Sequence, residues 1–508
     1  MNRENLIIFI LFISFSSIIV PVIGLSAVED VGTGGFREIP IPLNYSRPLG
    51  ITTDTTGSIW FAISTPPRIV VFNPSREEFR EFPIPNNATR CEIWSMVVDP
   101  DGMIWFGETV SNAIWVFNPR NGTFRSVPIP TPDAYPFELM FDAEGKLWFT
   151  ELYGGGIGEL SGNFTIREYY PPTISSGPSG FDFDTEGNIW FAQGWVRQVG
   201  WFNPHTGEFR DYPLNSLAIL PRDVGIDPKG MIWVTDAESN SILRINPKTW
   251  EIVPFVTSFP EYGEASSPYF LKKDREGNFW VNERIGNKIG YLNTDTRHLQ
   301  EIELPYSSTT ELPGYIPPPC CKVPAGLPVV PREILSIAIA PDGNLWFTEA
   351  LGNRIGIIYA PMNPPVAIDA TPVVALPENR KAIFEIRVTS HLSDASQVRV
   401  THNYPAETEG ISVGSLFIPS SQITRGIPTT LQVPVTLPQS MNLQHATLTF
   451  SVHGGGYADS LFIRFVKEGE FVQDTVPVTL PVKQSIPFPD TSMLIGGALI
   501  IALLIKSH

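Results

Sequence analysis

The heptapeptide Asp99–Trp105, DPDGMIW, is one of seven near-copies in a chain of 508 residues. The others are DTTGSIW (54–60), DAEGKLW (142–148), DTEGNIW (184–190), DPKGMIW (227–233), DREGNFW (274–280) and APDGNLW (340–346), where Ala340 replaces the aspartate. The first six repeat tryptophans lie 42 to 47 residues apart, and the seventh follows after 66. A period in the low forties with four short strands per unit is the mark of a β-propeller blade. In one unit YPFELMF (135–141), KLWFTEL (146–152), GGGIGEL (154–160) and NFTIREYYP (163–171) read as successive strands from the axis outward. The Asp and Gly of each heptapeptide suit a tight turn, because Asp bonds local amides and Gly tolerates positive φ. The tryptophans suit packing between blades.

The seventh unit has no fourth strand and leaves the pattern at Met362-Asn363-Pro364-Pro365. At the other end of the chain GFREIPIP (35–42) stands alone, yet it matches EFREFPIP (78–85) and TFRSVPIP (123–130), which close units one and two. An N-terminal strand added to the last blade would seal the ring and leave no open seam. The expected fold class is all-β: a seven-bladed β-propeller over 35–361 closed by an N-terminal outer strand. Residues 366–470 then alternate as AIFEIRVT, QVRVTHNY, TLQVPVTL, ATLTFSVH and SLFIRFVK, which suggests an immunoglobulin-like β-sandwich serving as a spacer or adhesion module. A Pro-rich spacer (471–490) and a short C-terminal apolar segment (491–508) follow.

A net charge of −17, with no basic face, excludes nucleic acid as a partner. Residues 6–25 form an apolar run after Arg3, so 1–27 reads as a signal peptide or signal anchor. The apolar run 493–505 before Lys506 spans about 20 Å as a helix, short of a hydrocarbon core of roughly 30 Å, and suits a membrane anchor or a sorting tail. Both ends point to membrane contact and to an anchored position on the extracellular face of the cell. Four sequons, at Asn44, Asn87, Asn121 and Asn163, are glycosylation candidates consistent with export. Outside the cell a disulfide is expected among Cys91, Cys320 and Cys321: either Cys91 pairs with one of the others, or those two form a vicinal bond.

In a propeller the loops between second and third strands share a face with the connections from one blade to the next. Three residues after each repeat tryptophan, at that face, stand Ile63, Glu108, Glu151, Gln193, Asp236, Glu283 and Glu349. The starts of the inner strands add Arg47, Glu92, Trp94, Tyr135, Phe137, Glu138, Arg222, Asp223, Tyr269 and Glu333. Converging carboxylates suit a hard cation, Mg²⁺ or Ca²⁺, with Glu283, Glu349, Glu151, Glu108 and Asp236 as candidate ligands. The plainer reading is that they cap strand ends. Trp94, Phe137, Arg222 and Arg47 are candidate substrate-binding residues. The insertion 306–330, with Cys320-Cys321 at its centre, enters on this same face and could line it.

The WFTE tetrapeptides at 148–151 and 346–349, with GNKIG (286–290) and GNRIG (352–356), resemble the virginiamycin B lyase (streptogramin lyase) family over roughly 35–360. The repeat is similar, more distantly, to gluconolactonase/regucalcin-like and NHL propellers. The resemblance implies a seven-bladed propeller and a carbon–oxygen lyase that opens streptogramin B esters by Mg²⁺-assisted elimination. It also implies a histidine base and a metal-holding glutamate near the central face. Glu283 and Glu349 match the glutamate, and Tyr269 matches an aromatic position at the start of an inner strand. The histidine has no match: His205 and His298 fall in rim turns, and Leu152 and Ala350 follow the two WFTE motifs. A base would then be a carboxylate or a tyrosine, which makes Tyr269, Glu138 and Asp223 the catalytic candidates. Two functions follow: a divalent-metal-dependent lyase or lactone-type enzyme at an acidic mouth, or a non-catalytic extracellular propeller that binds a small-molecule or cell-surface ligand there.

Overall fold

The aspartate of the repeat does two jobs. In Asp142 one carboxylate oxygen accepts the amide N–H groups of Glu144 and Lys146, and the other accepts the indole N–H of Trp148 at 2.8 Å. Gly145 completes the turn at φ 80°. The indole bond fixes the tryptophan ring, which then packs on the next blade: Trp148 lies 6.1 Å from Phe202, Trp60 5.9 Å from Phe117, and Trp346 5.8 Å from Phe72. The sequence pattern foretells the packing but not the indole bond.

The computed structural model describes residues 35–467 together with 503–506, except 44–45, 87, 259–265, 306, 309–328, 331, 363–372, 391, 393–397, 405–410, 419–421, 424, 426–427, 442 and 444–445. Each turn joins the first two strands of a four-stranded antiparallel unit; in the third blade these are Pro136–Phe141, Leu147–Glu151, Ile157–Leu160 and Ile166–Tyr169. Such units recur along the chain, and their innermost strands run Pro48–Thr53, Met96–Val98, Pro136–Phe141, Pro178–Phe183, Pro221–Ile226, Pro268–Lys273 and Ile334–Ile339. Neighbours in that series touch, and the last touches the first. Side chains two residues after the tryptophans bond across blades: Thr150 donates to Ser179 O, Thr235 to Tyr269 O, Asn282 to Ile334 O and Thr348 to Leu49 O. The bond from Thr348 crosses the seam.

That seam is closed by Phe36–Pro40, which pairs antiparallel with Arg354–Ile358 as the fourth strand of the last blade. Ile39 and Ile41 are buried against its core, and the Asn353 side chain bonds Ser46 N and Leu43 O. The chain is thus an all-β propeller with its two ends joined in one sheet.

The C-terminal strands Lys381–Thr389, Arg399–Asn403, Pro428–Thr436, Thr447–Gly454 and Tyr457–Lys467 fall into two sheets that share a core around Val433, Phe450 and Phe465. One of these sheets is continuous with the propeller. Its residues Tyr457–Leu461 pair with His298–Ile302, the outer strand of blade six. Phe462 packs 4.5 Å from Phe255, and Thr447 and Asn403 donate to Pro254 O and Thr257 O. A spacer would need no such contacts. Blade six has an unpaired outer edge, and the C-terminal sheet covers it. Residues 1–34 and the spacer 471–490 lie outside the described residues, as do Asn44, Asn87, Cys320 and Cys321. Of the C-terminal apolar segment only Leu503–Lys506 is described, as a strand beside Ile383–Ile386. Among the described residues no helix is long and apolar enough to cross a membrane.

Candidate functional site

The residue after the second strand donates its amide to the residue just before the inner strand, as Ser64 to Arg47, Leu152 to Tyr135 and Ala350 to Glu333, and in blade two Thr109 donates to Glu92, four residues ahead of Met96. The two sets of loops therefore share one face, as the sequence suggests. Several residues at the turn into the inner strand, among them Arg47, Tyr135, Ser267 and Glu333, adopt φ between 46° and 59°. This bend brings the next side chains over the axis.

Those side chains build an aromatic floor. Phe137 lies 5.7 Å from Trp94, 5.6 Å from Phe270 and 6.4 Å from Tyr269. The Arg222 guanidinium stands over both Phe137 and Tyr269, and Arg284 stands 5.3 Å over the Tyr269 ring. Arg284 also pairs with Glu333. Arg47 is exposed at the start of the first inner strand. Beneath the floor a charged network spans the ring. Lys272 of blade six reaches Glu138 of blade three at 2.6 Å, and Lys273 reaches Asp182 of blade four at 2.7 Å. Asp223 accepts the amides of Leu271 and Val224. Burial, reinforced by the Glu138 charge, pushes the Asp223 carboxyl well above its ordinary range. Burial pulls Lys272 down, but the Glu138 and Asp223 carboxylates outweigh it and hold the ammonium charged. Tyr269, Glu138, Asp223, Trp94, Phe137 and Arg222 are thus gathered at one place. Lys272 and Arg284 belong with them, and sequence reading passed over both. The signal for Lys272 was a pair of lysines ending an otherwise apolar strand, PYFLKK.

The acids at the second-strand ends behave differently. All five are fully buried, each within its own blade. Glu108 accepts the amides of Glu92, Val110 and Ser111, and Asp236 those of Ile219, Leu220, Glu238 and Ser239. Glu283 pairs with Lys288, itself held by Glu301, and Arg332 stands 3.7 Å from Glu349. Burial pushes the Glu283 and Glu349 carboxyls up, and their cationic partners oppose this. Glu151 has neither cation nor amide; burial and Glu168 push it up to about 8. These residues are not brought into one group: Glu108 and Asp236 hold backbone N–H groups and Glu283 and Glu349 lie beside a cation, while one Glu283 oxygen and both oxygens of Glu151 and Glu349 are buried without a hydrogen-bond partner. Among the described residues no three His, Cys, Asp or Glu side chains are grouped to hold a metal.

Cys91 is a free, buried thiol that donates to Ile63 O, and burial pushes its pKa up; its candidate partners Cys320 and Cys321 lie outside the described residues. Cys91 lies five residues ahead of the inner strand and packs in the buried cluster of Trp60, Ile93 and Phe106. His205 lies exposed in a turn, and His298 stands 3.6 Å from Asp459 at the junction with the C-terminal sheet, so neither reaches the mouth. Asn121 and Asn163 are exposed in rim turns on the opposite face.

Around the mouth the loops carry exposed apolar side chains: Val110, Tyr153, Tyr170, Ile174, Trp195 and Ile219. All belong to blades two to five. Tyr153 bridges the rings of Tyr135, at 4.5 Å, and Trp195, at 5.5 Å, while Tyr135 links onward by hydrogen bonds to Trp94 and Glu92. Gly177 allows Trp195 to lie flat, since a Cβ there would sit 2.7 Å from the indole. A wall of aromatic rings thus leads from the rim to the floor.

The sequence profile described as the virginiamycin B lyase family matches residues 34–313. No curated protein matches the chain. Similar solved structures include a streptogramin B lyase, at 26% identity and TM-score 0.53 over 64% of this chain and 97% of that one. Virginiamycin B lyase from Staphylococcus aureus matches at 22% identity and TM-score 0.52, over 64% of this chain and 98% of that one. A catalytically inactive histidine-to-alanine variant of virginiamycin B lyase from that organism, with quinupristin, gives the same figures. At 22% identity the latter two speak for the fold alone.

Proposed function

The chain belongs to the virginiamycin B lyase family, and from that premise we propose that it binds its ligand at the aromatic mouth without cleaving it. The observation that carries this reading is the run of rings from Trp195 and Tyr153 to Trp94, Phe137 and Tyr269, with Arg222 and Arg284 over the floor. Rings and guanidinium groups recognise flat apolar groups and carbonyl- or carboxylate-bearing faces; they neither abstract nor deliver protons at neutral pH. Among the described residues the mouth holds no histidine and no grouped metal ligands. The ligand class is a peptidic or other small molecule with aromatic substituents. The N-terminal apolar run supports export, and the sandwich and C-terminal apolar segment support display at the extracellular face of the cell.

Quinupristin, found with one of the similar structures, is a suitable probe. Titrated into the purified chain, it is expected to change tryptophan fluorescence saturably, with Tyr153→Ala and Trp195→Ala each weakening the apparent affinity about tenfold, or roughly 1.4 kcal/mol. Affinity unchanged from the parent in both variants would contradict a binding role for the aromatic wall.

One observation favours chemistry. Asp223, whose carboxyl burial and the Glu138 charge push above its ordinary range, lies with the Glu138–Lys272 pair in the charged network beneath the aromatic floor. A lyase acting through it would lose turnover in Asp223→Asn while keeping its ligand affinity.

A further inference from the structure

The seventh repeat departs from the first five at one corner, and the departure opens a cleft; in blade six the aspartate accepts the Tyr291 hydroxyl instead of the indole, and Tyr291 packs 4.9 Å from Trp280. In blades one to five the repeat aspartate accepts its tryptophan's indole N–H at 2.8 to 3.1 Å. Ala340 offers Trp346 no such acceptor. The fourth-strand residue that stacks on the blade's own tryptophan is Phe82, Tyr169, Tyr212 or Phe255 in blades one, three, four and five. In the closing strand the register places Ile39 there, opposite Ile355. Both changes hollow the same wall, and a cleft of about 440 Å³ lies between blades seven and one, on the face away from the mouth. Trp346, Phe72, Ile39 and the half-exposed Tyr359 line it with Arg37. Arg37 gives one Nη to Glu77 at 2.7 Å, while its Nε is buried without an acceptor. Asp342 also lines the cleft, but its two oxygens accept the backbone and side-chain N–H groups of Asn344.

We propose that this seam cleft is a second ligand site, for a small carboxylate joined to a flat apolar group. The carboxylate takes the place held by aspartate in the other turns, accepts the Trp346 indole N–H and faces the Arg37 guanidinium. The flat group lies in the space that an aromatic ring fills in four of the other blades, against Ile39 and between Phe72 and Tyr359. The site is independent of the mouth, since no residue is shared.

The test uses the full chain labelled with ¹⁵N-tryptophan, the Trp346 indole signal being assigned from Trp346→Phe. Phenylacetate is the probe and phenylacetamide, the same shape without charge, its control. The expected result is a saturable shift of the Trp346 indole signal with phenylacetate, and at least tenfold weaker binding of the amide. Ala340→Asp should abolish the shift and raise the thermal midpoint, because it restores the indole bond of the first five repeats. If that variant fails to fold, Ile39→Phe, which fills the cleft as blade one does, should abolish the shift instead. No saturable shift, equal binding of acid and amide, or binding that survives in the folded filled variant would each overturn the proposal.

Discussion

Asp227 shows what a single residue of the repeat contributes. Its carboxylate takes the amides of Lys229 and Met231 and the indole of Trp233, whose ring is fully buried. Asp227→Ala orphans these donors, the indole among them within the core, and should lower unfolding stability by about 2–3 kcal/mol in a denaturant titration. Glu151 makes the opposite contribution. Its folded carboxyl titrates near 8 against an ordinary value of 4.5. Between those values the folded chain holds a proton that the unfolded chain has lost, so stability present at low pH declines as pH rises from about 4.5 to about 8. Glu151→Gln should flatten that decline and be more stable than the parent at pH 8, by about 2–4 kcal/mol. Thermal midpoints of both proteins across this range would check the sign. A Glu151→Gln variant that loses stability at pH 8 would mean that the carboxylate has a partner there.

Among elements, the closing strand was the most legible and the C-terminal sheet the least. GFREIPIP repeats the ends of units one and two, so its partner could be named from the sequence; Phe36–Pro40 pairs with Arg354–Ile358 accordingly. Deleting 35–42 should lower the thermal midpoint of the whole ring by ten degrees or more while removing nothing from the mouth, because it uncovers Ile39 and the Arg354–Ile358 edge. Repeat spacing also told which loops share a face, and so which inner-strand residues gather there. It could not tell where the strand-end acids point. Glu108 and Glu283 occupy the same place in the repeat, yet one binds amides and the other Lys288, a partner supplied by the third strand. Nor does any periodicity announce that Tyr457–Leu461 will join His298–Ile302. Such pairing depends on an edge left open elsewhere, which local sequence does not record.

At the scale of the molecule, the propeller and the C-terminal sheet are joined strand to strand. Glu301, on the outer strand of blade six, accepts Lys288 from inside the blade and Ser460 from the C-terminal sheet. Burial raises its pKa and the Lys288 charge brings it down below the ordinary value. A chain ending at 361 would expose that carboxylate and the strand edge beside Phe255, and it should show a lower midpoint and a tendency to associate. The same whole-molecule view separates the mouth, built from blades two to seven, from the seam cleft on the other face. What the account claims most centrally is that the mouth holds a ligand without breaking it. The direct measurement is the ratio of cyclic to linear quinupristin, resolved by chromatography and fragmentation, after prolonged incubation with the purified chain and Mg²⁺. The account predicts unchanged, cyclic quinupristin at every time point; accumulation of its linear isomer, which has the same mass, would contradict it.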